Sequence, residues 1–302
     1  MTKNNSSNAL RFVDLFCGIG GFHYAMQRAC KALGITSECV FASDIDPRSQ
    51  ENYQLNFNQA VTGDITKINA AEIPDHDILL AGFPCQAFSI YGHRKGFEDT
   101  RGTLFFDIAR ILKEKKPNFF VLENVKQLKT HKNGETFSTI ANVLTELGYS
   151  FSANVYDARE FGLPQKRERI FIAGSKKHIH FDKSLSRYKR AMRPLEQLLE
   201  KKIDNSFLVS QRIKQARYDK VKQKALLTRP RIWHENKSGN ISVHDFSCAL
   251  RAGASYNYLL VDGERRLTGR EMFRLQGFPD EHILTGSYQT HRFLAGNSLP
   301  IP

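Results

Sequence analysis

Six short apolar, β-branched runs alternate with helix-like stretches through the first 173 residues, and this alternation constrains the fold more than any other feature. The runs at 12–16, 39–42, 78–83, 119–122, 150–155 and 169–173 read as strands buried on both faces. Between them, residues 22–33, 49–56, 104–115 and 136–147 carry helical spacing, and Gly148 stops the last. Strands that alternate with helices give an α/β fold, a mostly parallel sheet covered on both faces. The 302 residues, 41% hydrophobic and including 22 Phe, suffice for one large domain or two unequal ones. The longest apolar run, 78–83, is far shorter than the roughly 20 residues a membrane-spanning helix needs. Residues 1–8 are polar with no apolar stretch of a signal peptide, so a soluble, reducing, cytoplasmic setting is expected.

After residue 174 the pattern turns basic and its periodicity weakens. Lys and Arg number 44 against 31 Asp and Glu, a net +13, and the excess is uneven: residues 175–265 hold 20 basic and 9 acidic side chains. A solvated lysine-rich surface would spread such an excess, whereas one concentrated segment fits a nucleic-acid-binding region. Runs at 249–251 and 258–261 are expected to be strands of a smaller second domain. The five cysteines, Cys17, Cys30, Cys39, Cys85 and Cys248, are odd in number and lack a C-x-x-C pair, which argues against a disulfide framework and against a metal site. Cys30 and Cys39 read as buried hydrophobes.

Four places carry chemistry. Asp14-Leu15-Phe16-Cys17-Gly18-Ile19-Gly20-Gly21 takes a strand through a glycine-rich turn into a helix, where a ligand can approach the backbone closely. Asp44 at the end of the second strand is placed to accept from ribose hydroxyls, and Asp64 lies in another loop at the sheet edge. The same glycines and carboxylates also serve unliganded turns and caps. Phe83-Pro84-Cys85-Gln86 puts a thiol just beyond a strand, ahead of a loop rich in Gly, Arg, Lys and His, and cationic surroundings favour a nucleophilic thiolate. Glu123-Asn124-Val125 ends the next strand, where the carboxylate faces a crevice or caps a turn. In Gln165-Lys166-Arg167-Glu168-Arg169, alternation along an extended segment puts Arg167 and Arg169 on one face, able to hold a phosphate or a carbonyl oxygen, unless they are a solvated charge cluster.

In order along the chain, and joined by Arg266-Leu267-Thr268-Gly269-Arg270-Glu271 and Gly296-Asn297-Ser298, these stretches resemble the DNA (cytosine-5)-methyltransferases, most nearly the prokaryotic type II restriction-modification enzymes. The resemblance covers residues 12–173 and 265–300. It implies a Rossmann-like S-adenosylmethionine-dependent methyltransferase fold with a catalytic domain at 1–183, a target-recognition domain at 184–290 and a return segment at 291–302. It also implies S-adenosylmethionine as cofactor, duplex DNA as substrate, a monomer, and no obligate protein partner. Cys85 would be the nucleophile and Glu123 the group that protonates or hydrogen-bonds the ring nitrogen. Arg167 would contact the cytosine carbonyl, with Arg169 supporting. The cofactor would be lined by Phe16, Gly18, Gly20, Gly21, Asp44, Ile45, Asp64, Ile65, Pro84, Leu104 and Asn297. The DNA would meet Phe83, Gln86, Ser89, Asn124, Arg229, Arg231 and Arg251, with Trp233 as a further candidate.

Three departures from the family pattern stand out. Ile45 takes the place of an aromatic residue, Cys248-Ala249-Leu250 lacks the usual threonine, and the sequence stops at Pro302 where relatives continue into a helix that returns to the cofactor domain. Two other readings stay open: a tRNA cytosine-5 methyltransferase on the same scaffold, and a catalytically silent DNA-binding relative. A nicotinamide dehydrogenase has no use for Pro84-Cys85-Gln86 or Glu123-Asn124-Val125.

Overall fold

The computed structural model describes residues 9–84, 104–179, 181, 185–221 and 230–302. The chain divides into two compact units, Met1–Tyr156 with Glu168–Leu185, and Asp157–Arg167 with Ser186–Pro302.

In the first unit each expected run is a strand and each expected helical stretch a helix. In chain order they are β1 (Leu10–Leu15), α1 (Gly21–Ala32), β2 (Ser37–Ser43), α2 (Pro47–Phe57), β3 (Ile78–Gly82), α3 (Leu104–Lys115), β4 (Phe119–Val125), α4 (Glu135–Glu146) and β5 (Ser150–Asp157). The short β6 (Gln165–Lys166) lies in the second unit, and β7 (Glu168–Ser175) completes the first. The strands form one sheet in the order β2-β1-β3-β4-β7-β5. β2, β1, β3 and β4 run parallel, and β7 is antiparallel to β4, so the sheet is mixed. The ten residues from Ala158 to Arg167 include no α-helix, and without a crossover of a dozen or more residues the chain re-enters the sheet reversed.

Side chains from one sheet face and from the helices α3 and α4 form the largest part of the core. Val13, Leu15, Leu79, Ala81, Phe120 and Leu122 pack in one cluster with Phe105, Ile108, Ile111 and Leu112 of α3 and Ile140 and Leu144 of α4. Local signals fix the helix ends. Asp46 caps α2 by accepting from the Arg48 and Ser49 amides, with Pro47 in the first helical position. These devices leave the carboxyl ends of the parallel strands as the sheet edge where loops gather.

The second unit carries α5 (Gln211–Lys220), β8 (Ile232–Glu235), β9 (Ile241–His244), β10 (Ser247–Cys248), β11 (Leu259–Val261), β12 (Arg265–Arg266), α6 (Gly269–Leu275) and α7 (Tyr288–Asn297). A four-stranded antiparallel sheet runs β12-β11-β8-β9, and β10 pairs in parallel with β6. The strand expected at 258–261 is β11. The one expected at 249–251 is two residues earlier, at Ser247–Cys248, because Leu250 and Arg251 direct their backbone amides to side chains, Gln165 Oε1 and the Tyr258 hydroxyl, instead of to a ladder. Trp233, a candidate DNA contact in the sequence, is 2% exposed and belongs to this unit's core. Among the described residues no helix is long and apolar enough to cross a membrane.

Candidate active site

In the first unit the loops after β1 and β2 and the segment at 62–64 come together. Asp44 donates its amide to the Thr62 carbonyl at 3.0 Å, and Thr62 returns its own to Ala42 at 2.9 Å, which brings Asp64 beside the end of β2. One Asp44 carboxylate oxygen accepts the Gly18 amide at 2.8 Å and the other the Asp46 amide at 2.9 Å. Burial raises the Asp44 carboxyl above the usual range, while those two amides act against the rise.

The turn itself is left-handed at Phe16, Gly18 and Gly20, with φ of 55°, 54° and 83°. Its two glycines differ. A Cβ on Gly18 would meet nothing within 4 Å, whereas one on Gly20 would sit 2.0 Å from the Phe57 ring. Gly18 therefore borders open space, and Gly20 is required by packing. Gly20 and Gly21 open α1 with no capping side chain at Gly20, and in its first turn the His23 amide is directed to the buried Asp14 carboxyl. Ile45, beside Asp44, is 71% exposed, an uncovered apolar surface at a strand exit. Asp64 accepts from Thr66 N and Oγ1 at 3.0 and 2.7 Å, bonds that hold its carboxyl below the usual range, and Ile65 is buried in the core. Open space at Gly18, an acceptor at Asp44 and an apolar surface at Ile45 fit a ligand with a ribose and a flat ring.

A second group of polar side chains of this unit lies toward the end of β4. Glu123 is 9% exposed and aligned in register with Gly82, the last residue of β3. Its Oε1 is 2.9 Å from Nε of Arg169 in β7. Burial lowers the Arg169 pKa and the Glu123 charge opposes this, the signature of an ion pair held partly out of water. Asn124, expected to meet DNA, directs its amide to the backbone: it donates to the Phe83 carbonyl at 2.8 Å and accepts from the Val125 amide at 2.8 Å. It thereby ties the end of β4 to the segment leading out of β3. Phe83 is buried against Phe105, Pro84 is exposed, and Leu104 opens α3. Cys85, Gln86, Ser89 and Arg229 lie outside the described residues.

The second unit holds the remaining expected residues. Arg167 does not share a face with Arg169. It falls between β6 and β7, is 2% exposed, and donates to the carbonyls of Leu250 at 3.1 Å, Gly296 at 3.1 Å and Ser298 at 2.5 Å. Three main-chain acceptors so engaged make it a brace for the backbone around it. Asn297 ends α7 and is exposed, with Arg167 holding the carbonyls on either side of it. Arg231 donates its amide to Asp262 and lies 3.7 Å from Asp245, and Arg251 is exposed with its guanidinium 4.8 Å from the centre of the Tyr258 ring.

Two arrangements escaped the sequence reading. Asp14 is fully buried, and burial pushes its carboxyl well above the usual range, opposed by the Tyr53 hydroxyl that donates to it at 3.4 Å. His23 joins the group, its Nδ1 2.8 Å from the same hydroxyl. In Arg266-Leu267-Thr268-Gly269-Arg270-Glu271, Thr268 and Glu271 form a reciprocal cap on α6, and the buried Glu271 takes both Arg265 nitrogens at 2.8 Å. The Thr-x-x-Glu spacing carried that signal; nothing local announced the Asp14 group, whose partners are 9 and 39 residues away.

Comparison with known proteins agrees with this geometry. Residues 10–302 match the C-5 cytosine-specific DNA methylases. The chain is 50% identical over 294 residues to the Type II methyltransferase M.NgoBI of Neisseria gonorrhoeae, covering 96% of this chain and 89% of that one. It is 48% identical over 292 residues to the Type II methyltransferase M.HaeII of Haemophilus aegyptius, with the same coverage of 96% and 89%. The crystal structure of the S. pombe Dnmt2 methyltransferase superposes with a TM-score of 0.73 at 22% identity, over 97% of this chain and 95% of that one, a likeness of fold. The chain belongs to the C-5 cytosine-specific DNA methylases, the family of DNA cytosine methyltransferases.

Proposed function

We propose that this methyltransferase acts on carbon 5 of a cytosine flipped out of a specific duplex sequence, through a covalent bond to Cys85, and that it protects DNA in a restriction-modification system. The observation that carries the reading is the Glu123–Arg169 pair at 2.9 Å, in register with Gly82, on the strand that leads to Cys85 three residues on. Carbon 5 of cytosine is a poor nucleophile until a nucleophile adds at carbon 6. The Cys85 thiolate makes that bond, and the electron pair released moves toward the ring nitrogen. Glu123 supplies the proton or hydrogen bond there, and Arg169 holds its carboxyl in place. When bound, S-adenosylmethionine supplies a methyl group on a sulfonium leaving group. Gly18, Asp44, Ile45 and the start of α1 are the groups of this unit suited to hold it. Loss of the carbon 5 proton and elimination of the thiolate then restore the ring. A base inside the duplex stack cannot be reached, so flipping is required at a few kcal/mol. The basic residues of 175–265 would mostly position the duplex through its phosphates, in the cytoplasm and without a second copy of the chain.

The test is transfer of radiolabelled methyl to unmethylated duplex DNA, with tRNA as competitor and Cys85→Ser alongside. Label in DNA from the native chain alone supports the reading. Label in tRNA, or undiminished transfer by Cys85→Ser, contradicts it.

A further inference from the structure

The second unit contains a network of buried side chains converging on one short stretch of backbone. Arg167 donates to the Leu250 carbonyl at 3.1 Å, and Gln165 accepts the Leu250 amide at 3.1 Å. The Tyr258 hydroxyl accepts the Arg251 amide at 2.9 Å. A Cβ on Gly296 would lie 2.3 Å from the Ala252 amide nitrogen, so α7 rests directly on the backbone of Arg251 and Ala252. Gln165 and Gln276 extend the network to the carbonyls of Leu275, Ala295 and Ser298. On this braced segment the Arg251 side chain is exposed, steadied over the Tyr258 ring at 4.8 Å.

We infer that Arg167 is a positioning residue that holds Arg251 preorganised for a DNA phosphate. The inference rests on the reading of Arg251 as a DNA contact. An arginine on a flexible backbone loses both main-chain and side-chain freedom when it binds, whereas one on a fixed platform loses less. Its guanidinium suits a phosphate oxygen pair. The Leu250 amide and carbonyl and the Arg251 amide are all bonded within the network, so this stretch of the platform is held by the protein's own side chains.

The test is binding of the full chain to a fluorescein-labelled unmethylated duplex over a series of salt concentrations. The variants are Arg251→Ala, Arg167→Lys and Tyr258→Phe, together with each of the last two combined with the first. Arg251→Ala should weaken binding roughly 5- to 10-fold and reduce the salt slope by about 0.9, the loss of one phosphate contact. Arg167→Lys and Tyr258→Phe should reduce the slope in the same direction although neither side chain reaches solvent, and neither should weaken binding further once Arg251 is alanine. A general loss of stability would leave the slope of the folded fraction unchanged. Should Arg167→Lys fail to fold, Tyr258→Phe, which removes only a hydroxyl, carries the test. An unchanged slope in both, or effects that add in full to Arg251→Ala, overturns the inference. An unchanged slope in Arg251→Ala itself overturns the underlying reading of Arg251.

Discussion

Arg167 and Arg169 are one residue apart in the same basic run, yet they sit in opposite surroundings. Arg169, on a sheet strand, pairs with the Glu123 carboxylate, whereas Arg167, in the break between two strands, is bonded to three main-chain carbonyls. Alternation puts residues i and i+2 on one face only while the strand is continuous, and here it stops at residue 167. Neighbouring charges in one motif thus divide into one paired with a carboxylate and one bonded to the main chain, which under the proposed function separates chemistry from architecture.

The largest effect should come from the chemical side of that division. Glu123→Gln keeps the shape and hydrogen-bonding capacity of the side chain but not its proton transfer, so methyl transfer at saturating substrate should fall by about 10²- to 10⁴-fold with thermal unfolding little changed. A drop below tenfold would move Glu123 to the architectural side. Next is Arg167→Met, which leaves three buried carbonyls without their donor and should lower stability by about 3–5 kcal/mol in urea denaturation. A loss under about 1 kcal/mol would make the brace dispensable.

Buried histidines extend the architectural side into pH. Burial lowers His23 to about 4 and His282 to about 3, with the Arg270 charge adding at His282. Both are neutral in the folded chain and bind a proton more readily when it unfolds, so stability should be full above about pH 6.5. It should decline as pH falls from there toward about 4 and 3, by on the order of 3 kcal/mol for His23 and roughly 5 kcal/mol for His282. A flat stability between pH 6.5 and 4 would contradict this. The glycine turn offers the same contrast at smaller scale. Gly20→Ala must displace the Phe57 ring and should lower stability by about 2–3 kcal/mol, whereas Gly18→Ala meets open space and should cost about 1 kcal/mol from backbone strain while weakening cofactor binding. Equal losses of stability would erase the distinction. The smallest effect is Thr268→Ala, about 1 kcal/mol from loss of the α6 cap, read from its melting temperature.

Periodicity made the first unit legible because its strands and helices are long and their partners are neighbouring elements. The second unit has strands of two to four residues, too short for a period to register, although the Asn-Lys-Ser-Gly-Asn turn between β8 and β9 was a usable hairpin signal. The turn, Asp44 and Glu123 were legible as residue types at strand exits, whereas the pairing of Glu123 with Arg169, near the start of β7, was not. The reversal of β7 was not, since direction depends on whether a helix intervenes. The Arg167 brace could not be read, because its partners are carbonyls 83 to 131 residues away, and a carbonyl has no residue type.

The most direct measurement sets Arg169→Lys beside Arg167→Lys, recording single-turnover methyl transfer at saturating DNA and cofactor together with thermal unfolding. The expected result is a rate lowered by about 100-fold or more for Arg169→Lys with its melting temperature nearly kept, and for Arg167→Lys a lowered melting temperature with the rate within about threefold of native. The reverse pattern, a slow but stable Arg167→Lys beside a fast but unstable Arg169→Lys, would contradict the division between them.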